Sequence, residues 1–154
     1  MKRRTVHAIA AATLVAALLG ASLPATAAGW WECRAGVWVG VDGPRHPQPS
    51  RACGDKPSLP RSESACRAAG GRWGRAGLFP KPICTMPTRD GGRVCADGGE
   101  CEGACLLDTK SDRSKMFGPR PQGPATGVCT RARPVFGCTV EVTRGRVGRR
   151  ICRD

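Results

Sequence analysis

Residues 84–105 read CTMPTRDGGRVCADGGECEGAC and contain four cysteines and five glycines in 22 residues. The Asp-Gly-Gly runs at 90–92 and 97–99 are turn signals, because aspartate accepts local backbone hydrogen bonds and glycine adopts positive φ angles at little cost. No helix or strand of ordinary length fits between these signals. The segment therefore predicts a compact series of turns, held rigid by disulfide bonds more than by apolar packing.

The pairing of cysteines inside this cysteine-rich segment stays open at the level of sequence. A bond between Cys101 and Cys105 would enclose three residues, which is cramped. A bond between Cys95 and Cys105 fits the sequence as well as bonds from the segment to Cys129 do.

All ten cysteines of the chain lie after residue 27. Thiols persist poorly in an oxidising compartment, and an even number of cysteines predicts five disulfide bonds. No C-x-x-C pair occurs, so we expect neither redox exchange nor a thiolate metal site. The ten disulfide cysteines are Cys33, Cys53, Cys66, Cys84, Cys95, Cys101, Cys105, Cys129, Cys138 and Cys152.

Residues 1–27 are predicted to be a signal peptide. Lys2, Arg3 and Arg4 form a positive start, residues 7–19 form a short apolar run, and the small residues at 25–27 suit cleavage after Ala27. The run is shorter than the roughly 20 residues of a permanent membrane helix, and no later segment is apolar enough to span a bilayer. We therefore predict a secreted or periplasmic protein without a transmembrane anchor.

The predicted mature chain, residues 28–154, has few side chains with which to build an apolar core. Leu, Ile, Val and Phe number 18 of 127 residues, and tyrosine is absent. Such a composition with a large positive charge is typical of disordered chains, but each disulfide would stabilise the fold by about 2–4 kcal/mol. The sequence predicts a single small disulfide-rich domain, mainly β and irregular, with one short helix.

Residues 28–61 divide into a Trp-rich hairpin and a proline-rich connector. Alternating Trp and Val at 30–41 favours strands, with a turn at 35–36. We expect Trp30, Trp31 and Trp38 in the core; an exposed patch for a sugar or a partner is the alternative. The connector, residues 42–61, is expected to be extended and fixed by Cys53, and His46 within it is expected to be solvated.

Residues 62–105 begin with a predicted helix at 62–69 and continue into the cysteine-rich segment. Ser62 can accept a hydrogen bond from the first helical turn, Glu63 suits the positive end of the helix dipole, and two glycines at 70–71 end the helix. An irregular strand then leads to residue 84. The disulfide that we expect first joins Cys66 to Cys84, because it would fix the helix to that strand.

Residues 106–127 are polar and rich in glycine and proline, which predicts a mobile loop with one apolar anchor at residues 116–117. Residues 128–154 are predicted to end in a hairpin. Alternation at 138–142 places Cys138, Val140 and Val142 on one face. The returning strand brings Cys152 opposite Cys138, so these two cysteines are expected to pair.

The precursor has a formal net charge of +13, and loss of Lys2, Arg3 and Arg4 leaves +10. Outside the cell, this charge favours binding to polyanions such as anionic lipids, acidic polysaccharides or DNA. The competing interpretation is that arginine is simply the default surface residue in a chain of this composition. We expect polyanion contact first at the densest basic cluster. That cluster is Arg144, Arg146, Arg149 and Arg150.

The chain contains no recognisable catalytic set. A Ser-His-Asp site would depend on His46, and no G-x-S-x-G motif occurs. The acidic residues of the turns have neither a glycosidase scaffold nor the spacing of an EF-hand calcium loop. We therefore predict no enzymatic activity, no cofactor and no metal. The acidic residues in question are Asp90, Asp97, Glu100, Glu102 and Asp108.

Two cysteine motifs occur together in the second half of the chain: CxxxGGxW at residues 66–73 and CxxGxxCxGxC at residues 95–105. With Cys84 and the Asp-Gly-Gly run between them, residues 62–154 resemble a group of small secreted cysteine-rich bacterial proteins of uncharacterised function. The resemblance implies a shared disulfide-rich fold and carries no catalytic residues. The Trp-rich N-terminal part lies outside it.

These features predict a secreted or periplasmic, non-enzymatic, disulfide-stapled binding module. Its target would be a protein or an envelope component, and protease inhibition is one version of that function. A cationic envelope- or polyanion-binding protein is the first alternative. A small hydrolase with an unrecognised site, using His46 and Asp97, is the second.

Overall fold

The computed structural model describes residues 27–108, 119 and 122–153, and it confirms a small disulfide-rich fold that is mainly β and irregular. The predicted signal peptide lies outside these residues except for Ala27. In chain order the elements are β1 (Trp30–Arg34), β2 (Val37–Val41), α1 (Glu63–Ala68), β3 (Arg72–Gly74), β4 (Ile83–Pro87), β5 (Val94–Cys95), a 3-10 turn (Gly98–Glu100), β6 (Cys105–Leu106), β7 (Gly127–Cys129), β8 (Ala132–Arg133), β9 (Gly137–Thr143) and β10 (Arg146–Arg153).

The strands in the described ranges form three small sheets. β1 and β2 form a hairpin, β3, β4 and β8 form a three-stranded sheet in that order, and the largest sheet has the order β10-β9-β6-β7-β5. All pairings are antiparallel. The cysteine-rich segment contributes strands to both of the larger sheets. Its two-residue strands β5 and β6 are stabilised by pairing with neighbouring strands.

Five disulfides join these elements and involve all ten cysteines. The predicted bonds Cys66–Cys84 and Cys138–Cys152 are confirmed. Within the cysteine-rich segment Cys95 pairs with Cys105, while Cys101 reaches out to Cys129, so the cramped Cys101–Cys105 bond does not form. The remaining bond, Cys33–Cys53, fixes the connector to β1, as expected.

Two of these disulfides form the centre of the core. Cys95, Cys101, Cys105 and Cys129 are at most 1% exposed and pack with Val142 of β9. Sulfur therefore occupies the position that large aliphatic side chains have in ordinary domains. This arrangement explains how a chain so poor in Leu, Ile, Val and Phe holds a defined fold.

The N-terminal hairpin has the predicted turn at Ala35-Gly36, where both residues have positive φ (49° and 79°). Two consecutive positive φ angles define the turn that best matches the twist of a two-residue hairpin. Trp38 is buried at 9% exposure and its Nε1 donates to the carbonyl of Arg51 at 2.9 Å. Trp30 and Trp31 are half-buried, so Trp38 alone among the three lies in the core as predicted.

Helix α1 has the predicted N-cap. The Ser62 hydroxyl accepts a hydrogen bond from the Ala65 amide, and Glu63 pairs with Arg67 one turn later at 2.7 Å. Gly70, with φ +77°, follows the C-cap Ala69 and turns the chain into β3.

Replacing Ser62 with alanine should lower the free energy of unfolding by about 1 kcal/mol, because the Ala65 amide loses its acceptor. Chemical denaturation monitored by circular dichroism would measure this. Ser64 is a matched control on the same exposed turn, and Ser64→Ala should change stability by less than about 0.5 kcal/mol. Equal effects at the two serines would contradict the assigned cap.

The turn between β9 and β10 is buried at Gly145, which forms hydrogen bonds with three distant segments of the chain. The Gly145 amide donates to the Ala96 carbonyl at 2.7 Å, and the Gly145 carbonyl accepts from the amides of Ala28 and Ala125 at 2.9 Å each. Gly145 has φ +67°, and a Cβ there would overlap the Ala28 carbonyl. Glycine is therefore required where three distant segments meet.

The loop predicted at 106–127 is shorter than expected. Leu106 belongs to β6 and Leu107 packs on the disulfide core, while Gly127 begins β7 and Pro124 bridges to Arg146 of β10. The prediction extended too far because Leu106 and Leu107, at its start, are apolar and pair with β7 and β9. Its central part, including residues 116–117, lies outside the described residues.

Candidate binding groove

An apolar groove of about 740 Å³ runs between the connector, the β3-β4-β8 sheet and the end of β10. Its volume lies within the range of small-ligand sites, roughly 300–1,000 Å³. We call this surface the apolar groove. It is lined by residues 58–61, Trp73, Phe79, residues 82–84, residues 134–136 and Arg153.

The base of the groove is fixed by a disulfide bond. Trp73 lies on β3 opposite Cys84 of β4, and the disulfide from Cys84 to Cys66 ties this sheet to α1. Gly71 packs so closely on this disulfide that a Cβ there would approach both sulfur atoms to 2.8 Å. The groove is therefore built on a rigid base.

The edge of the groove carries the most exposed large apolar side chains of this region. Leu78 is 78% exposed and Phe79 is 46% exposed. They lie in a turn, residues 76–79, closed by a hydrogen bond from the Phe79 amide to the Ala76 carbonyl at 3.4 Å, with Gly77 at φ +60°. We call residues 76–79 the tip turn. Phe79 lines the groove, whereas Leu78 does not.

The groove is positively charged. Its lining contains Arg61 and Arg153, and none of its described lining residues is acidic. The sequence has no acidic residue between Glu63 and Asp90 or between Arg133 and Val140. Among the described residues, the groove is therefore lined by two arginines and by no carboxylate.

His46 is not solvated, and the expectation for it was wrong. Its side chain is 5% exposed and its Nε2 lies 2.7 Å from Oε2 of Glu100, which is fully buried. The connector folds back on the hairpin, since Trp31 Nε1 donates to the His46 carbonyl at 3.0 Å. That contact draws the histidine inward, to a partner 54 residues away in the chain.

Glu100 joins the N-terminal hairpin to the cysteine-rich segment. Besides His46, its carboxylate accepts from the Trp31 amide at 3.0 Å and from the Ala96 amide at 3.3 Å. A buried carboxylate is tolerated only when its oxygens are satisfied in this way. Glu100 therefore has a structural role, since it links the hairpin, the connector and the cysteine-rich segment. The sequence analysis had grouped it with the acidic residues of the turns.

The two residues of the hydrolase alternative have separate partners. Asp97 accepts from the amides of Gly99 and Arg144 at 2.7 and 2.8 Å, which closes the 3-10 turn and fixes the β9–β10 turn. His46 lines a second cavity, also of about 740 Å³. The described residues that line it include the hydroxyl of Thr126 but no serine or cysteine, and the Nε2 atom of His46 is engaged by Glu100.

The other acidic residues considered for calcium are also committed to local contacts. Asp90 accepts from the Glu102 amide at 2.8 Å. Glu102 accepts from the Arg89 amide and pairs with its guanidinium at 2.7 Å, and these hydrogen bonds lower the pKa of Glu102. Asp108 is exposed at the end of the described segment.

The side chains that approach a metal-like geometry do not offer a free site. Within the described ranges, Cys95, Cys101 and Cys105 form one such group, and Asp90 forms another with Cys101 and Cys129. Every cysteine in both groups is part of a disulfide, and disulfide sulfur is a poor substitute for the thiolate that metals bind.

The predicted polyanion cluster lies on the C-terminal hairpin. Arg144 is in the β9–β10 turn, and Arg146, Arg149 and Arg150 are exposed on β10. Their role stays a prediction. Positive charge elsewhere has a structural use: Lys56 and Arg51 donate to the Gly98 and Gly99 carbonyls respectively, and burial lowers the pKa of both cations.

Comparisons with protein-family models, with curated proteins and with solved structures found no match to this chain. The resemblance to small secreted cysteine-rich proteins therefore stays a prediction. In the part of the chain that the structure describes, no helix is long and apolar enough to cross a membrane.

The apolar groove was not predicted from sequence. Its walls come from segments as far apart as residues 58 and 153, and no periodic pattern links them. One signal was available: residues 75–82, RAGLFPKP, combine two large apolar residues with basic and proline neighbours. Such a loop is unlike a core segment, and it marks the edge of the groove.

Proposed function

We propose that this protein is a non-enzymatic, disulfide-stapled binding module that acts outside the cytosol, and that its apolar groove binds an anionic, partly apolar ligand. The observation that carries this proposal is the composition of the groove. An apolar surface bordered by Arg61 and Arg153, with no carboxylate among its described lining residues, suits a ligand with a hydrocarbon part and a negative charge.

The scarcity of apolar residues strengthens this argument. The predicted mature chain has 18 Leu, Ile, Val and Phe residues, and five of them line the groove together with Trp73. A chain with so few apolar side chains would bury them if stability were their purpose, because each is worth about 1.5–3 kcal/mol when buried. Their placement at a groove favours a binding role. The five are Leu59, Phe79, Ile83, Val135 and Phe136.

The disulfides support the location outside the cytosol. Five bonds account for all ten cysteines, and bonds of this kind persist in secreted and periplasmic proteins but are rare in the reducing cytosol. The contact of His46 Nε2 with Glu100 and the use of Asp97 in backbone contacts support the non-enzymatic form of the proposal.

The expected result is saturable binding of decyl phosphate to the mature protein, residues 28–154, at concentrations below micelle formation. Trp73 lies in the groove, so its fluorescence should change on binding, and the change should be lost in Trp73→Phe. Uncharged decyl maltoside should bind more weakly. The double variant Arg61→Gln/Arg153→Gln should weaken decyl phosphate binding about fivefold, which corresponds to roughly 1 kcal/mol.

A matched control removes the same amount of charge elsewhere. Arg45 and Arg131 are exposed and do not line the groove, so the Arg45→Gln/Arg131→Gln variant should bind like the wild type. Equal loss in both double variants would show a general charge effect and contradict the groove. Stoichiometric inhibition of a protease by the wild type, abolished by Leu78→Asp, would support the inhibitor version instead.

A further inference from the structure

We propose that the ligand of the apolar groove is presented by an anionic lipid bilayer, and that the tip turn, residues 76–79, inserts Leu78 and Phe79 into its surface. This inference rests on the proposed function and names its partner. The tip turn, the flanking basic residues and the groove would form one membrane-facing surface.

The tip turn has the geometry of an insertion element. Leu78 and Phe79 are consecutive and protrude at 78% and 46% exposure. The hydrogen bond between Phe79 and Ala76 closes the turn, and Pro80 and Pro82 restrict the chain that follows. Because the turn is already ordered, little conformational entropy remains to be lost when it enters a lipid surface.

Basic residues surround these apolar side chains. Arg72, Arg75 and Lys81 flank the tip turn in sequence and are exposed, and Arg61 and Arg153 border the groove behind it. Cations next to a bilayer interact with anionic headgroups with a benefit that corresponds to about a fivefold gain in binding each. Apolar side chains bordered by such cations are typical of segments that lie in the membrane interface.

The position of Leu78 favours a bilayer over a soluble peptide. A peptide bound in the groove would contact Phe79 and Trp73, but Leu78 does not line the groove and points to no described pocket. A bilayer surface can contact both the protruding Leu78 and the arginines beside the groove. The membrane interface takes up the leucine side chain, and the anionic headgroups bind the arginines.

Co-flotation of the mature protein with vesicles tests this proposal. Binding to phosphatidylcholine vesicles containing phosphatidylglycerol should exceed binding to phosphatidylcholine alone, and it should fall when the salt concentration rises from about 0.05 to about 0.5 M. Leu78→Ser should weaken binding to the anionic vesicles about tenfold, since it removes the exposed apolar anchor. Arg75→Gln/Lys81→Gln should weaken it at least as much.

The matched control is Val37, which is 62% exposed on the N-terminal hairpin. Val37→Ser removes an exposed apolar side chain away from the groove and should leave vesicle binding unchanged. Wild-type binding by Leu78→Ser, or equal binding to neutral and anionic vesicles, would overturn the proposal. If decyl phosphate binds while vesicles do not, the membrane partner is wrong and the groove function stands; if neither binds, both fail.

Discussion

Replacing Glu100 with alanine should lower the free energy of unfolding by about 3–5 kcal/mol, because it removes a buried carboxyl group that is hydrogen-bonded to three different residues. The change would leave His46 and the amides of Trp31 and Ala96 without their acceptor. Urea denaturation followed by tryptophan fluorescence would measure the loss. The N-terminal hairpin, which contacts the cysteine-rich segment through this carboxylate, should lose its protection from hydrogen exchange first.

Glu102 provides a matched control two residues away. It pairs with Arg89, whose side chain is 90% exposed, and exposed ion pairs contribute about 0–1 kcal/mol. Glu102→Ala should therefore cost about 1 kcal/mol once its hydrogen bond from the Arg89 amide is included. A loss at Glu100 no greater than the loss at Glu102 would show that the buried network does not stabilise the fold.

Replacing Cys101 and Cys129 together with alanine should destabilise the protein by about 4–5 kcal/mol. Their bond closes a loop with a sequence separation of 28, for which the chain-entropy relation gives about 3.6 kcal/mol. Both cysteines are at most 1% exposed, so the loss of sulfur also leaves a small cavity in the core, which adds to the cost.

A comparison with the Cys33–Cys53 bond distinguishes the contribution of chain entropy from the contribution of the core cavity. Its loop has a sequence separation of 20, so chain entropy alone predicts about 3.3 kcal/mol, close to the central bond. Cys33, however, is exposed and Cys53 is half-buried, so no core cavity should form in the Cys33→Ala/Cys53→Ala variant. Equal losses for the two double variants would indicate that the sulfur cluster contributes only through chain entropy.

The features that sequence predicted correctly depend on local signals. Ser62 caps α1, and Ala35-Gly36 turns the first hairpin, because the preferences of those residues act within a few positions. Cys138 and Cys152 pair because a predicted hairpin brings them together. The alternation at Val140 and Val142 likewise reported their burial in β9.

The features that sequence missed depend on distant segments. Nothing near His46 indicates that Glu100, 54 positions later, will bury it. The path of the proline-rich connector decides that contact, and proline fixes local backbone angles without specifying where the chain goes. The Cys101–Cys129 bond also joins distant segments, with a sequence separation of 28, so the sequence left it as one of several open pairings.

The apolar groove depends on both a local segment and contacts between distant segments. Its edge was expected to be part of an irregular strand leading to residue 84, but the structure has two short strands, β3 and β4, with the tip turn between them. Its walls assemble only when the connector and residues 134–136 pack beside β3 and β4. Loops positioned by a rigid scaffold often carry the binding residues of a protein. Here the base is the sheet that the Cys66–Cys84 bond holds against α1.

Mass-spectrometric disulfide mapping of the purified, unreduced protein tests the central claim most directly, because five disulfide bonds hold together the fold that positions the groove. We expect no free thiol and five linked peptide pairs: Cys33–Cys53, Cys66–Cys84, Cys95–Cys105, Cys101–Cys129 and Cys138–Cys152. Recovery of mostly free cysteines, or of peptides linking Cys101 to Cys105, would contradict the account.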